Sequence, residues 1–261
     1  MDKTDLEILD LSGNRDMENL PANLSMAKSL QMLILDGCDG LENVAVPDGL
    51  SSSLRSFSFD GYGPATKWAS SFKLSQEFSE PKQPHDADKR DAKTLKISLQ
   101  GCTQLENLFV RGLPNLVELD LSGSAIKVLD LKTMVVDVPE LKRLFLLGCE
   151  NLCAIIWGSD DSIGQVKLEE VCMDTRAKRT LGLTRPSLAQ HKHFSLQLHA
   201  VLADARLARS LYRLVDHYAD RRGYEGTHFN IHVTSSVEYG GGVQLEATVK
   251  EKTAGDLVIL F

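Results

Sequence analysis

The stretch Leu116-Val-Glu-Leu-Asp-Leu-Ser-Gly-Ser124 decides the fold. Leu116, Leu119 and Leu121 stand at offsets 0, 3 and 5, and a small polar residue, Ser124, follows at offset 8. Successive strand side chains point to opposite faces, so Leu119 and Leu121 share one face of a short strand. Ser124 then suits a tight bend, where a small polar or thiol side chain meets exposed backbone groups. Leucine is common, so one match carries little weight. Recurrence carries the argument.

The frame recurs at Leu6, Leu9, Leu11 and Asn14, and at Leu30, Leu33, Leu35 and Cys38. It returns at Leu54, Phe57, Phe59 and Tyr62, at Thr94, Ile97, Leu99 and Cys102, and at Leu141, Leu144, Leu146 and Cys149. Leu168, Val171, Met173 and Arg176 form a degenerate copy. The frame starts are 6, 30, 54, 94, 116, 141 and 168, giving steps of 24, 24, 40, 22, 25 and 27. Most steps fall in the roughly 20–29 residues of a leucine-rich repeat. One turn cannot bury its own leucines, but stacked turns bury each other's in a continuous apolar column. The expected fold is therefore an α/β leucine-rich-repeat solenoid over 1–178, with about seven repeats, a curved parallel sheet and an irregular convex side. Cys38, Cys102 and Cys149 occupy the place of Asn14, which predicts buried, inert thiols filling the inward site at the bend.

Second-half signals recur as well. Leu-Glu-Asn at 41–43 and 105–107 and Glu-Asn-Leu at 150–152 follow Gly-Cys at 37–38, 101–102 and 148–149. Together with Leu-Val-Glu-Leu-Asp-Leu-Ser-Gly-Ser-Ala-Ile-Lys at 116–127 and Leu-Lys-Arg-Leu-Phe-Leu-Leu-Gly-Cys-Glu-Asn-Leu at 141–152, this resembles the leucine-rich-repeat end of plant intracellular nucleotide-binding disease-resistance proteins. The likeness runs from residue 5 to about 176 by pattern and is weaker beyond. It implies a recognition module of innate immunity. No GxxxxGK[ST] phosphate loop is present, so the nucleotide-binding engine of those receptors is missing, as in a truncated relative.

The step of 40 places an insertion between Gly63 and Lys93, with Ser70-Ser71, Pro81, Pro84 and the charged run Asp86 to Asp91. Such a stretch buries little apolar surface and is expected to loop out on the side away from the strands. Residues 179–261 are expected to cap the last repeat. His199 to Arg222 reads as a long amphipathic helix with the stripe Val201, Ala205, Ala208, Tyr212, Val215 and Ala219, and Gly223 as its stop. Arg206, Arg209 and Arg213 lie off that stripe, as on a solvated face. Phe229, Ile231 and Val233 predict one strand, and Val243, Leu245, Ala247 and Val249 a second. Gly240-Gly241-Gly242 forms the turn between them, and Leu257 to Phe261 is a third strand.

Charge and chemistry narrow the function. A formal net charge of −7 argues against a general nucleic-acid binder. Five cysteines without a CxxC pair fit a reducing compartment, and Met1-Asp-Lys-Thr-Asp begins no signal peptide, so a cytoplasmic protein without a membrane span is expected. His228 and His232 share a strand face but stand roughly 13 Å apart, too far for one metal ion. His191 and His193 have the same difficulty at about 7 Å. No GxSxG, HExxH or kinase motif set occurs. The reading is a non-enzyme with no cofactor and no metal.

Binding residues follow from the frame, because the positions between its leucines point out of the sheet. One outward column is Asp10, Ile34, Ser58, Ser98, Asp120, Phe145 and Cys172. Beside it run Ile8, Met32, Ser56, Lys96, Glu118, Arg143 and Glu170, and then Ser12, Asp36, Asp60, Gln100, Ser122, Leu147 and Asp174. Phe145 and Leu147 with Arg143 form an aromatic-aliphatic-basic cluster of the kind that anchors interfaces, flanked by Glu118, Asp120, Ser122 and Lys96. Met32 and Ile34, with Ile8, suggest a second apolar patch. The alternative for Phe145 and Leu147 is burial beneath the C-terminal helix. The resemblance implies a protein partner: a pathogen effector, a guarded host protein, or the nucleotide-binding domain of an immune receptor. A non-immune scaffold or adaptor, of the kind found in ubiquitin-ligase assemblies, is the second reading.

Overall fold

The computed structural model describes residues 5–63, 91–157, 168–175, 196–203, 207, 209–211, 214, 227–235 and 245–248. The first strands are β1 (Ile8–Asp10), β2 (Met32–Ile34), β3 (Asn43–Val44), β4 (Ser56–Asp60) and β5 (Lys96–Ser98). Then come β6 (Asn107–Arg111), β7 (Glu118–Asp120), β8 (Val128–Asp130), β9 (Val135–Val136) and β10 (Arg143–Leu147). The last are β11 (Ala154–Ile156), β12 (Glu170–Asp174), β13 (Leu196–Leu202), β14 (Thr227–Ser235) and β15 (Leu245–Thr248).

These strands stack as a solenoid with two long sheets and a short one. Sheet 1 runs β1-β2-β4-β6-β9, sheet 2 runs β3-β5-β7-β10-β12-β13-β14-β15, and sheet 3 pairs β8 with β11. All pairings are parallel except β14 with β15. From β2 to β10 the chain alternates between sheet 1 and sheet 2, passing through sheet 3 at β8 and again at β11. Inward residues line up turn upon turn: Leu9, Leu33, Phe57 and Leu108 on sheet 1, and Val44, Ile97, Leu119, Leu144, Val171 and Leu198 on sheet 2. They meet in one core. A fully buried aliphatic side chain is worth about 1.5–3 kcal/mol, so the stacked column is the principal source of stability.

The bends extend the ladders beyond the strands. Gly37 N–H donates to the Asp60 carbonyl at 2.8 Å, Gly61 to Arg111 at 2.8 Å, and Gly123 to Leu147 at 2.7 Å. Gly37 and Gly123 take φ of 72° and 80°, a conformation that a Cβ disfavours. The bend cysteines are buried as the frame predicts. Cys38 Sγ donates to the Leu11 carbonyl at 3.1 Å and Cys149 Sγ to that of Leu121 at 3.3 Å, and Asn14 Nδ2 also donates to Leu11 at 2.6 Å.

The frame strands do not all lie in one sheet. β1, β2 and β4 belong to sheet 1, whereas β5, β7, β10 and β12 belong to sheet 2. Ser56 is opposite Asn107, not Lys96, and Lys96 is opposite Asn43. The insertion falls between β4 on sheet 1 and β5 on sheet 2, so the frame strands before it and those after it lie on different sheets. Both long faces of a flattened coil need short strands with inward leucines, which is why one sequence pattern serves either. The Leu-Glu-Asn repeats part company for the same reason, Asn43 opening β3 on sheet 2 and Asn107 opening β6 on sheet 1. The insertion itself lies almost wholly outside the described residues.

The C-terminal segment differs from the expected helix at its start. His199 to Leu202 belong to β13, whose parallel register sets His199 opposite Cys172. The period-2 run Leu198, Ala200 and Leu202 faces inward and is buried, and pairing along β12 favours strand over helix. Leu207, Arg209, Ser210, Leu211 and Leu214 are helical. Leu207, Leu211 and Leu214, at i, i+4 and i+7, enter the main core, while Arg209 is exposed. Of the expected stripe, Val201 stands half-buried on β13 and the other members lie outside the described residues. Trp157 Nε1 donates to the Ser210 carbonyl at 2.6 Å, tying this helical piece to the end of β11. The expected hairpin strands correspond to β14 and β15, in register Val233 with Ala247. Gly240 to Gly242 and Leu257 to Phe261 lie outside the described residues. Among those residues, no helix is long and apolar enough to cross a membrane.

Candidate functional site

Sheet 2 carries most of the residues that the frame points outward. Its parallel register aligns Lys96, Glu118, Arg143 and Glu170 in one row, Ser98, Asp120, Phe145 and Cys172 in the next, and brings Leu147 opposite Asp174. Met32 and Ile34 lie on sheet 1 instead, half-buried beside Ile8, so they do not share a face with the rest.

The first row is an ion-paired ladder. Lys96 Nζ lies 2.8 Å from Glu118 Oε1, and Arg143 Nε lies 3.4 Å from Glu118 Oε2. The Glu118 side chain is 5% exposed, whereas those of Lys96 and Arg143 are 38% and 46% exposed. One shielded carboxylate thus fixes two accessible cations on alternate strands.

Phe145 and Leu147 correct the expectation of exposed anchors. They are 2% and 7% exposed and pack with Cys172 in a small apolar cluster separate from the main core. Asp120 and Ser122 are buried too. Asp120 Oδ1 accepts from the Ser122 N–H at 3.0 Å, and Ser122 Oγ accepts from the Leu147 N–H at 3.2 Å. These groups brace the bend of one turn against the strand of the next. Of the expected sheet 2 site, Lys96 and Arg143 alone keep substantial access to solvent.

Sheet 1 holds a polar cluster that sequence reasoning did not assemble. The Asp36 carboxylate accepts from Ser58 Oγ at 2.7 Å and from the Asp60 N–H at 2.9 Å. Asp60, fully buried, accepts from Arg111 through Nε at 3.1 Å and also through Nη2. The guanidinium lies 5.5 Å from the Tyr62 ring centroid and 5.7 Å from that of Phe109. Its pKa is raised, first by the Asp60 hydrogen bonds, and that of Tyr62 is raised by burial and then by Asp137. Asp60 stood in an outward column, but Arg111 and Phe109 did not. Alternation of Leu108 and Val110 with Asn107, Phe109 and Arg111 was the signal that could have found them.

The buried thiols are poor nucleophiles. Burial pushes Cys38 up to about 11 and Cys102 up to about 12, and it raises Cys149 as well. Cys153 is exposed. Among the described residues, no three His, Cys, Asp or Glu side chains are grouped to hold a metal ion. Fold and site define a repeat protein of the solenoid class, with an accessible, pre-positioned row of charge on one sheet. No protein-family model matches the chain, and no curated protein matches it either.

Proposed function

We propose that this protein is a recognition module of the leucine-rich-repeat type that binds another protein. The observation that carries this reading is the row Lys96–Glu118–Arg143, where a solenoid sheet holds two accessible cations in place through one buried carboxylate. Cations held this way lose little conformational entropy on binding, which favours recognition. The repeat phrases at 116–127 and 141–152 support a setting in plant defence. The partner would then be a pathogen effector, a guarded host protein or the nucleotide-binding domain of a receptor. Five free cysteines suit a reducing cytoplasm.

Affinity purification on the immobilised protein tests this reading. The Lys96→Glu/Arg143→Glu variant should lose a specific partner that the wild type retains, while Ile156→Ser on sheet 3 keeps it. If all three retain the same proteins, this row is not a recognition surface.

A further inference from the structure

The first turn of the solenoid is packed differently from the second. Leu30, Leu33 and Leu35 are fully buried, whereas their counterparts Leu6, Leu9 and Leu11 are half-buried, and Ile8 is 59% exposed. Among the described residues β1 pairs with β2 alone, so its other edge is open. The Glu7 carbonyl accepts from the Met32 N–H at 3.0 Å, and the Leu11 N–H donates to the Ile34 carbonyl at 2.9 Å. Parallel pairing draws on the backbone groups of alternate residues, so those of Ile8 and Asp10 turn to the open edge. An edge strand of this kind is a template for a further strand.

Charge decides what kind of strand this edge receives. Residues 5–20 carry the exposed acids Asp5, Glu7, Asp10, Asp16 and Glu18 against one cation, Arg15, which lies 3.9 Å from Asp39. Asp10 stands on β1 itself, its Oδ1 fixed by the Ser12 N–H at 2.9 Å and by Ser12 Oγ. A second copy of this chain would bring these acids against their own kind, and like charges opposed on paired strands destabilise the pairing. We infer that the open edge of β1 takes an extended segment of a partner protein by parallel strand addition. The segment sets an apolar side chain beside Ile8, another over Leu9, and a Lys or Arg beside Asp10. The residues beside Ile8 and Asp10 are two apart, so both side chains lie on the outward face, and the one between them joins Leu9 in the core. The edge belongs to sheet 1, so this inference goes beyond the recognition reading, which rests on Lys96 and Arg143 of sheet 2.

The test uses a fluorescein-labelled peptide, Gly-Ser-Lys-Val-Leu-Lys-Leu-Ser-Gly, and fluorescence anisotropy with the full chain. Its valine, first leucine and second lysine fall beside Ile8, Leu9 and Asp10, and its first lysine beside Glu7. Saturable binding is expected at 50 mM salt, weakened at least fivefold at 500 mM. N-methylation of both leucines removes the donors to the Ile8 and Asp10 carbonyls and should weaken binding tenfold or more. Glu7→Lys/Asp10→Lys changes two exposed side chains, with circular dichroism to confirm the fold. That variant should lose the peptide and bind Gly-Ser-Glu-Val-Leu-Glu-Leu-Ser-Gly instead. No binding to the wild type at 50 mM salt would overturn the inference. So would equal binding of a peptide with glutamine for both lysines, because the edge would then receive apolar strands without regard to charge. A dimer in light scattering that Ile8→Asp converts to a monomer would overturn it as well, assigning the edge to a second copy.

Discussion

Asp60 and Arg111 are 51 positions apart in the chain and directly opposed on β4 and β6, with the carboxylate taking both Nε and Nη2 of the guanidinium. The column read from the repeat frame sets Gln100 beside Asp60. The ion pair therefore records the change of sheet across the insertion, and it locks β4 against β6 in register.

That pair should be costly to break. In Asp60→Asn the amide oxygen can still accept from the Tyr62 N–H, but the charge is lost and an NH2 donor replaces the oxygen that accepts from Arg111 Nη2. The Arg111 side chain is 32% exposed and can reach water. A loss of about 2–3 kcal/mol is expected, below the roughly 3–5 kcal/mol for breaking a wholly buried pair. Urea unfolding would measure it. The double variant Asp60→Asn/Arg111→Gln should be less destabilised than the sum of the single variants.

Phe145 and Arg143 separate packing from surface. Phe145→Ala removes a buried ring and should destabilise by about 3 kcal/mol. Arg143→Ala on the same strand should change stability by less than about 1 kcal/mol, because its ion pair is solvent-exposed on one side. Equal midpoints for the two variants in a denaturant titration would contradict the burial of Phe145.

Gly61 and Gly13 test the bends. A Cβ at Gly61 would overlap the Gly112 carbonyl oxygen, a backbone atom that cannot swing aside. At Gly13 a Cβ meets nothing within 4 Å, and the strain comes solely from φ of +78°. Gly13→Ala should cost about 1 kcal/mol. Gly61→Ala should lower the thermal midpoint further than Gly13→Ala does.

The thiols give stability a pH dependence of predictable sign. Unfolded thiols ionise near 9.0, but folded Cys38 and Cys102 hold their protons to about 11 and about 12. The native state therefore binds more protons in this range, and stability falls as pH rises. The contribution is fully present below pH 9 and is lost progressively as pH climbs through about 11 and 12. At pH 8, iodoacetamide should label Cys153 alone in the folded protein and all five cysteines after denaturation. Rapid native labelling of Cys102 would show that its site is open.

Local pattern was enough to read the strands, their inward residues and the bends. Leu119 and Leu144 face inward because strand side chains alternate, and Cys38 and Cys149 fill bends because a small donor is needed there for a neighbouring carbonyl. These are short-range requirements, and they recur with every turn. Which strands become neighbours is a long-range matter, and leucine spacing carries no label for which side of the coil a strand will join. The 64–90 stretch breaks the count, and closure of the turns decides that β4 meets β6 and not β5. Burial of outward side chains is equally non-local. Arg143 and Phe145 lie two residues apart on one strand face, yet one stays in solvent and the other does not, because exposure depends on what packs over the sheet. The repeat and its inward face were thus legible along the chain. The choice of neighbours, the Asp60–Arg111 pair and the accessible row at Lys96 and Arg143 came from tertiary packing.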